Sequence, residues 1–154
     1  YNLSLILHKN LVKMKLTKFL ISLPPCIFSV VCIIAVIYLT LVPCPLPDMD
    51  IPLFPGADKV VHAIMMMGVM LCLAFDYMRK KRNPQEKAPL VILLLFLIAT
   101  IAFGGAIELL QGLMAMGRGE DIYDFIADAA GAIIGFIITV VAWRRTLIWL
   151  QGCN

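Results

Sequence analysis

Three titratable residues, His62, Glu108 and Asp128, lie in strongly apolar stretches of this sequence. A charged group at the centre of a membrane helix costs about 2.5–3.5 kcal/mol on insertion scales, so such residues tend to mark function. A histidine near carboxylates relays protons close to neutral pH, which makes the three candidate catalytic groups, as acids, bases or hydrogen-bond partners. Around them stand Asp58, Lys59, Gln111, Arg118, Asp121 and Asp124 as candidate binding residues. Lys59 and Arg118 suit an anionic partner such as a phosphate or carboxylate. The trio has the donor atoms for a divalent metal. With one histidine and no helical His-x-x-x-His pair, however, no metal and no cofactor are expected.

Helical spacing sorts these residues onto faces. Asp58 and His62 are four apart and share a face, and Glu108 and Gln111 share one with Gly104. Asp124, Asp128, Gly131 and Gly135 follow in steps of four, three and four, one stripe along a helix. Gly131-x-x-x-Gly135, extended by Ala127, is a small-residue pattern that admits a close helix neighbour. Acids and glycines therefore point into a bundle, where Glu108 and Asp124 are expected to meet at the outer rim. Gly104-Gly105, inside an apolar run, reads as a packing feature. The opposite halves of these helices are expected to be almost free of polar groups.

The elements that carry these residues are membrane spans. The chain is 62% hydrophobic and only 15% charged, with a mean hydropathy of +0.94. A domain of 154 residues has no core large enough to bury so much apolar surface. Four apolar runs each approach the roughly 20 residues needed to cross the bilayer. They lie at about Phe19–Val42, Lys59–Met78, Pro89–Leu113 and Ile122–Trp143. Pro24 and Pro25 fall near the start of the first, where a missing N–H costs least. The first run is too long for a signal-peptide core, and no small-residue cleavage site follows it.

Charge orients the bundle. Lys15 and Lys18 precede the first span, five basic residues occupy Arg79–Lys87, and Arg144 and Arg145 follow the last. The other two loops are acidic, with Asp48, Asp50, Asp58, Glu120 and Asp121. Cytoplasmic loops collect Lys and Arg. The expected fold is thus an all-α membrane protein, a four-transmembrane-helix bundle with both termini cytoplasmic. The membrane domain is expected over 14–145, with 146–154 as a short cytoplasmic tail. Met14-Lys15-Leu16-Thr17-Lys18 reads like a natural start, so 1–13 is expected to be an extension outside the fold.

Bland readings compete at several positions. Asp58 and Asp121 at helix starts fit capping and the helix dipole. Cys26, Cys32 and Cys72 fit small apolar fillers, while Cys44 and Cys153 lie outside the spans. The basic loop fits attraction to anionic lipid headgroups. No nucleic-acid motif, phosphate-binding glycine loop or Ser-His-Asp order occurs.

Asp58-Lys59-x-x-His62, Glu108-x-x-Gln111, Arg118 and Asp121-x-x-Asp124-x-x-x-Asp128-x-x-Gly131-x-x-x-Gly135, in that order, resemble the VanZ-like family. The position of Asp128 departs from it, being more often asparagine there. The resemblance implies a multi-span protein of the bacterial cytoplasmic (inner) membrane with a role in the cell envelope. It also implies an influence on susceptibility to glycopeptides such as teicoplanin, and supplies no reaction. Expected partners are membrane lipids and a lipid-linked or cell-wall precursor, with no nucleic acid; oligomeric state is left open. Whether the outer polar site is enzymatic, or belongs to a non-enzymatic binding or scaffold protein, is also left open. A small transporter is the weaker alternative.

Overall fold

Long apolar runs bounded by glycine, proline and polar segments fold here as five helices. The computed structural model describes residues 2–42, 56–81, 83, 85–114 and 122–151. The helices are α1 (Asn2–Ser22), α2 (Ile27–Leu41), α3 (Ala57–Met78), α4 (Leu90–Met114) and α5 (Ile122–Gln151). α3, α4 and α5 are each long and apolar enough to span a membrane. The end of α1 and the whole of α2 form a bent pair, so the chain has three spans, or four where that pair crosses as one. α1 is continuous through Met14 and includes most of the stretch set aside in the sequence.

The first span differs from the continuous helix expected. Its two halves meet at 73°. Pro24 and Pro25 remove two N–H donors, and Cys26 turns the chain through the left-handed region at φ 63°. Such a break strands carbonyls at the end of one helix and N–H groups at the start of the next.

One ion pair at the end of α3 satisfies both ends. Arg79 donates from Nη1 to the Leu20 carbonyl at 2.6 Å and from Nη2 to the Pro24 carbonyl at 3.1 Å. Asp76 Oδ2 accepts from the Ser29 N–H at 2.8 Å and from its hydroxyl at 2.6 Å, capping α2 from a neighbouring helix. The two side chains bind each other at 2.5 Å, and the guanidinium lies 4.9 Å from the centre of the Phe28 ring. Both are buried. This corrects the expectation of an inner half nearly free of polar groups: Asp76 is there because the proline break needs an acceptor.

The last helix also differs. Arg144 and Arg145 do not close α5, which runs on to Gln151. Its buried stripe continues through Thr139, Trp143, Leu147 and Leu150, with no glycine or proline to interrupt it. Trp143, Leu147 and Leu150 join Met70, Ala74, Met78 and Leu93 in one apolar cluster at the inner end. Trp143 Nε1 donates to the Glu86 carbonyl at 2.9 Å, tying the basic loop to α5. Lys81 binds Glu86 in that loop, and the Glu86 carboxylate, with Tyr77 next, holds the Lys81 ammonium above its ordinary pKa.

α5 packs chiefly against α3. Gly131 faces the α3 backbone so closely that a β-carbon there would fall on the Ala63 carbonyl oxygen. One turn on, a β-carbon at Gly135 would stand 3.0 Å from the Met67 carbonyl and from Met70 Cβ. The small-residue stripe is thus a helix–helix contact within the chain. It fixes the register of the acids on α5 against the polar residues on α3.

Candidate functional site

The acids at the start of α5 meet α3 in two layers. Nearer the helix start, Asp124 Oδ1 accepts from Lys59 Nζ at 3.0 Å, and the same ammonium lies 3.1 Å from Asp58. Asp58 is largely exposed and turns to Lys59 rather than inward. One turn deeper, Asp128 Oδ1 lies 3.2 Å from His62 Nδ1. Glu108 Oε1 of α4 stands 3.6 Å from the same nitrogen. His62, Glu108 and Asp128 are all buried, Asp128 completely. Each offers one ligand atom, and the three atoms lie within 4.8 Å of one another.

The structure therefore gathers the three candidate catalytic residues from three helices. At the rim Asp124 pairs with Lys59, and Asp128 is the acid that shares His62 Nδ1 with Glu108. Packing explains the choice, because Gly131 and Gly135 set α5 against α3 and so carry Asp128 to His62. Gly104 completes the fit on α4: a β-carbon there would lie 2.8 Å from Asp128 Oδ2. Gln111, buried on the Glu108 side of α4, donates instead to the Thr40 carbonyl at 2.9 Å and holds the end of α2. Arg118 and Asp121 lie outside the described residues, as do Cys44 and Cys153.

The tautomer that donates from Nδ1 to Asp128 Oδ1 leaves Nε2 as the acceptor nitrogen. A buried imidazole oriented by a carboxylate can take or give a proton, or donate a hydrogen bond. An apolar groove of about 900 Å³ adjoins the site at Glu108. It is lined by Ile98, Ile101, Ala102, Gly105, Leu109 and Phe125, with Glu108 as its acid.

A family model described as VanZ/LLP1 matches residues 8–144. The chain belongs to the VanZ/LLP1 family. No curated protein and no solved structure gives a match. This VanZ-family chain is a multi-pass membrane protein with a buried His/Glu/Asp cluster, and the matched segment contains every residue of that cluster. Two features escaped sequence reading. The groove between α4 and α5 depends on Gly105, where a β-carbon would press on the Phe125 ring at 3.2 Å, and no spacing rule announces it. The Asp76–Arg79 pair left a readable signal, an acid and a base three apart at the depth of the Pro24-Pro25 break.

Proposed function

We propose that this VanZ-family protein uses the His62–Glu108–Asp128 cluster, in the outer half of a bacterial cytoplasmic membrane, to bind or modify a lipid-borne envelope molecule. Through that molecule it alters glycopeptide susceptibility, teicoplanin included. The observation that carries the reading is the shared reach of the cluster and the groove. Glu108 lines a long apolar groove between α4 and α5 and also stands 3.6 Å from His62 Nδ1. A hydrocarbon chain suits the groove, and a polar head suits the cluster. Lys59, and Arg118 by sequence position, supply positive charge for an anionic head. Acid–base work falls to His62, oriented by Asp128.

A second reading treats the cluster as a structural network, favoured by the complete burial of Asp128 against Gly104. One experiment separates them. His62→Gln, Glu108→Gln and Asp128→Asn are expressed in a strain whose teicoplanin susceptibility depends on the wild-type protein, and protein accumulation is measured alongside. The proposal expects normal accumulation with loss of the phenotype. Unchanged susceptibility in all three stable variants overturns it. Loss of the protein itself supports the structural network.

A further inference from the structure

We propose that His62, Glu108 and Asp128 bind one divalent transition-metal ion of the Zn²⁺ or Mn²⁺ type. The proposal deepens the outer-site reading and rests on it for meaning, while ion binding is measurable without it. It also reverses the sequence expectation of no metal, which rested on the lack of a second histidine.

Geometry comes first. A tetrahedral ion with bonds of about 2.0–2.2 Å sets its ligand atoms roughly 3.3–3.5 Å apart. His62 Nδ1 stands 3.2 Å from Asp128 Oδ1 and 3.6 Å from Glu108 Oε1, on either side of that spacing. The three ligands come from α3, α4 and α5, so helix packing holds them without loop rearrangement. Three protein ligands of one nitrogen and two carboxylates leave a fourth position open, the pattern of zinc sites that act on a substrate. Imidazole among the donors favours Zn²⁺ over Mg²⁺ and Ca²⁺, which prefer all-oxygen sites, and the two carboxylates also suit Mn²⁺.

The second observation is an oxygen. Asp128 is 0% exposed, and its Oδ2 has no hydrogen-bond partner among the described residues. A buried carboxylate oxygen so placed is costly. Oδ2 faces the Gly104 turn of α4, four residues before Glu108, and so lies on the cluster side of that helix. An ion held by Asp128 gives the carboxylate the positive partner that burial demands. Two carboxylates in their ionised form match the charge of one divalent cation with His62 neutral. In that state the Nδ1 lone pair faces the ion and the ring hydrogen sits on Nε2. Metal binding thus replaces the Nδ1–Asp128 hydrogen bond, and the role of His62 in the loaded protein is that of a ligand in place of the acid–base role given to it above.

The test uses the full chain purified in detergent, stripped by chelator, reloaded with Zn²⁺ or Mn²⁺ and desalted before metal counting. One ion per chain is expected. Co²⁺ in its place is expected to give visible absorption bands of a four- or five-coordinate site. Asp128→Asn and His62→Ala should each weaken binding by more than about tenfold, the low end of what losing even an outer partner of a ligand does. Lys81→Gln, in the basic loop, should bind as wild type does. Wild type that retains no stoichiometric metal overturns the proposal. So does binding that Asp128→Asn and His62→Ala leave unchanged, which marks adventitious ions. If those variants fail to accumulate, the wild-type Co²⁺ spectrum decides: bands of a six-coordinate, water-like ion overturn the site. Loss of the teicoplanin phenotype with no metal bound removes the ion and keeps the outer-site reading; metal bound with no phenotype does the reverse.

Discussion

Gly131 of α5 lies against Ala63 of α3 with no room for a β-carbon between them. Ala63 follows His62 directly, and Gly131 is three residues beyond Asp128, so this contact sets the His62–Asp128 distance. Gly131→Ala must push the helices apart. Overpacking of this kind costs typically about 1–3 kcal/mol. The expected result is a lower melting temperature in detergent and loss of the site's function together. Gly68→Ala is the control, because a β-carbon there meets only Cys32 Sγ at 3.8 Å. A Gly131→Ala protein as stable as wild type would contradict the packing account.

Asp76 and Arg79 should behave as one unit. Removing one partner of a buried pair leaves an uncompensated charge, at about 3–5 kcal/mol. Asp76→Ala and Arg79→Ala are therefore each expected to reduce accumulation and thermal stability sharply. Because Arg79 also holds the Leu20 and Pro24 carbonyls, Arg79→Lys should rescue only in part: an ammonium lacks the planar fork. Thermal unfolding of the set, followed by circular dichroism, checks both statements.

Gln111 and Lys59 separate packing from site chemistry. Gln111→Leu removes one interhelical hydrogen bond, worth about 0.6 kcal/mol on average in a membrane protein. A small fall in stability with the phenotype intact is expected. Lys59→Gln breaks a rim pair that is partly exposed, so stability should change by less than about 1 kcal/mol. If Lys59 contacts an anionic head, the phenotype falls while the melting temperature holds. The two measurements side by side decide which residue serves which purpose.

Cys26 occupies a left-handed conformation that costs a residue with a side chain roughly 1–2 kcal/mol. Cys26→Gly should hold or raise the melting temperature. Cys26→Val, β-branched, should lower it. Equal melting temperatures across the three would argue against strain at the break.

Much of this was legible in the sequence because lipid imposes simple rules. Long apolar runs must be helices, and costly polar residues must gather. The Asp124–Asp128–Gly131–Gly135 stripe was readable for the same reason, since a period of three and four residues leaves no other face for it. What the stripe could not reveal was depth: whether Asp124 or Asp128 meets Glu108 depends on an α3–α5 register set by a backbone contact at Ala63. The bend at Pro24-Pro25 was misread because proline near a helix start is harmless only if the helix starts after it. Here an upstream helix precedes the prolines as well. The continuation of α5 past Arg145 went unseen because two arginines resemble a membrane exit. Flanking them, Trp143 and Leu147 carry the same buried stripe onward.

The clamp on the broken span also bears on how the protein is made. Synthesis delivers the first span well before α3, yet the Leu20 and Pro24 carbonyls and the Ser29 N–H find their partners on α3. In hydrocarbon each unmet group costs several kcal/mol. The nascent first segment therefore has reason to wait where water still reaches its break, at the membrane surface or in the insertion machinery. It settles only when Asp76 and Arg79 arrive. In order of assembly, the first span to be synthesised is completed only together with the second.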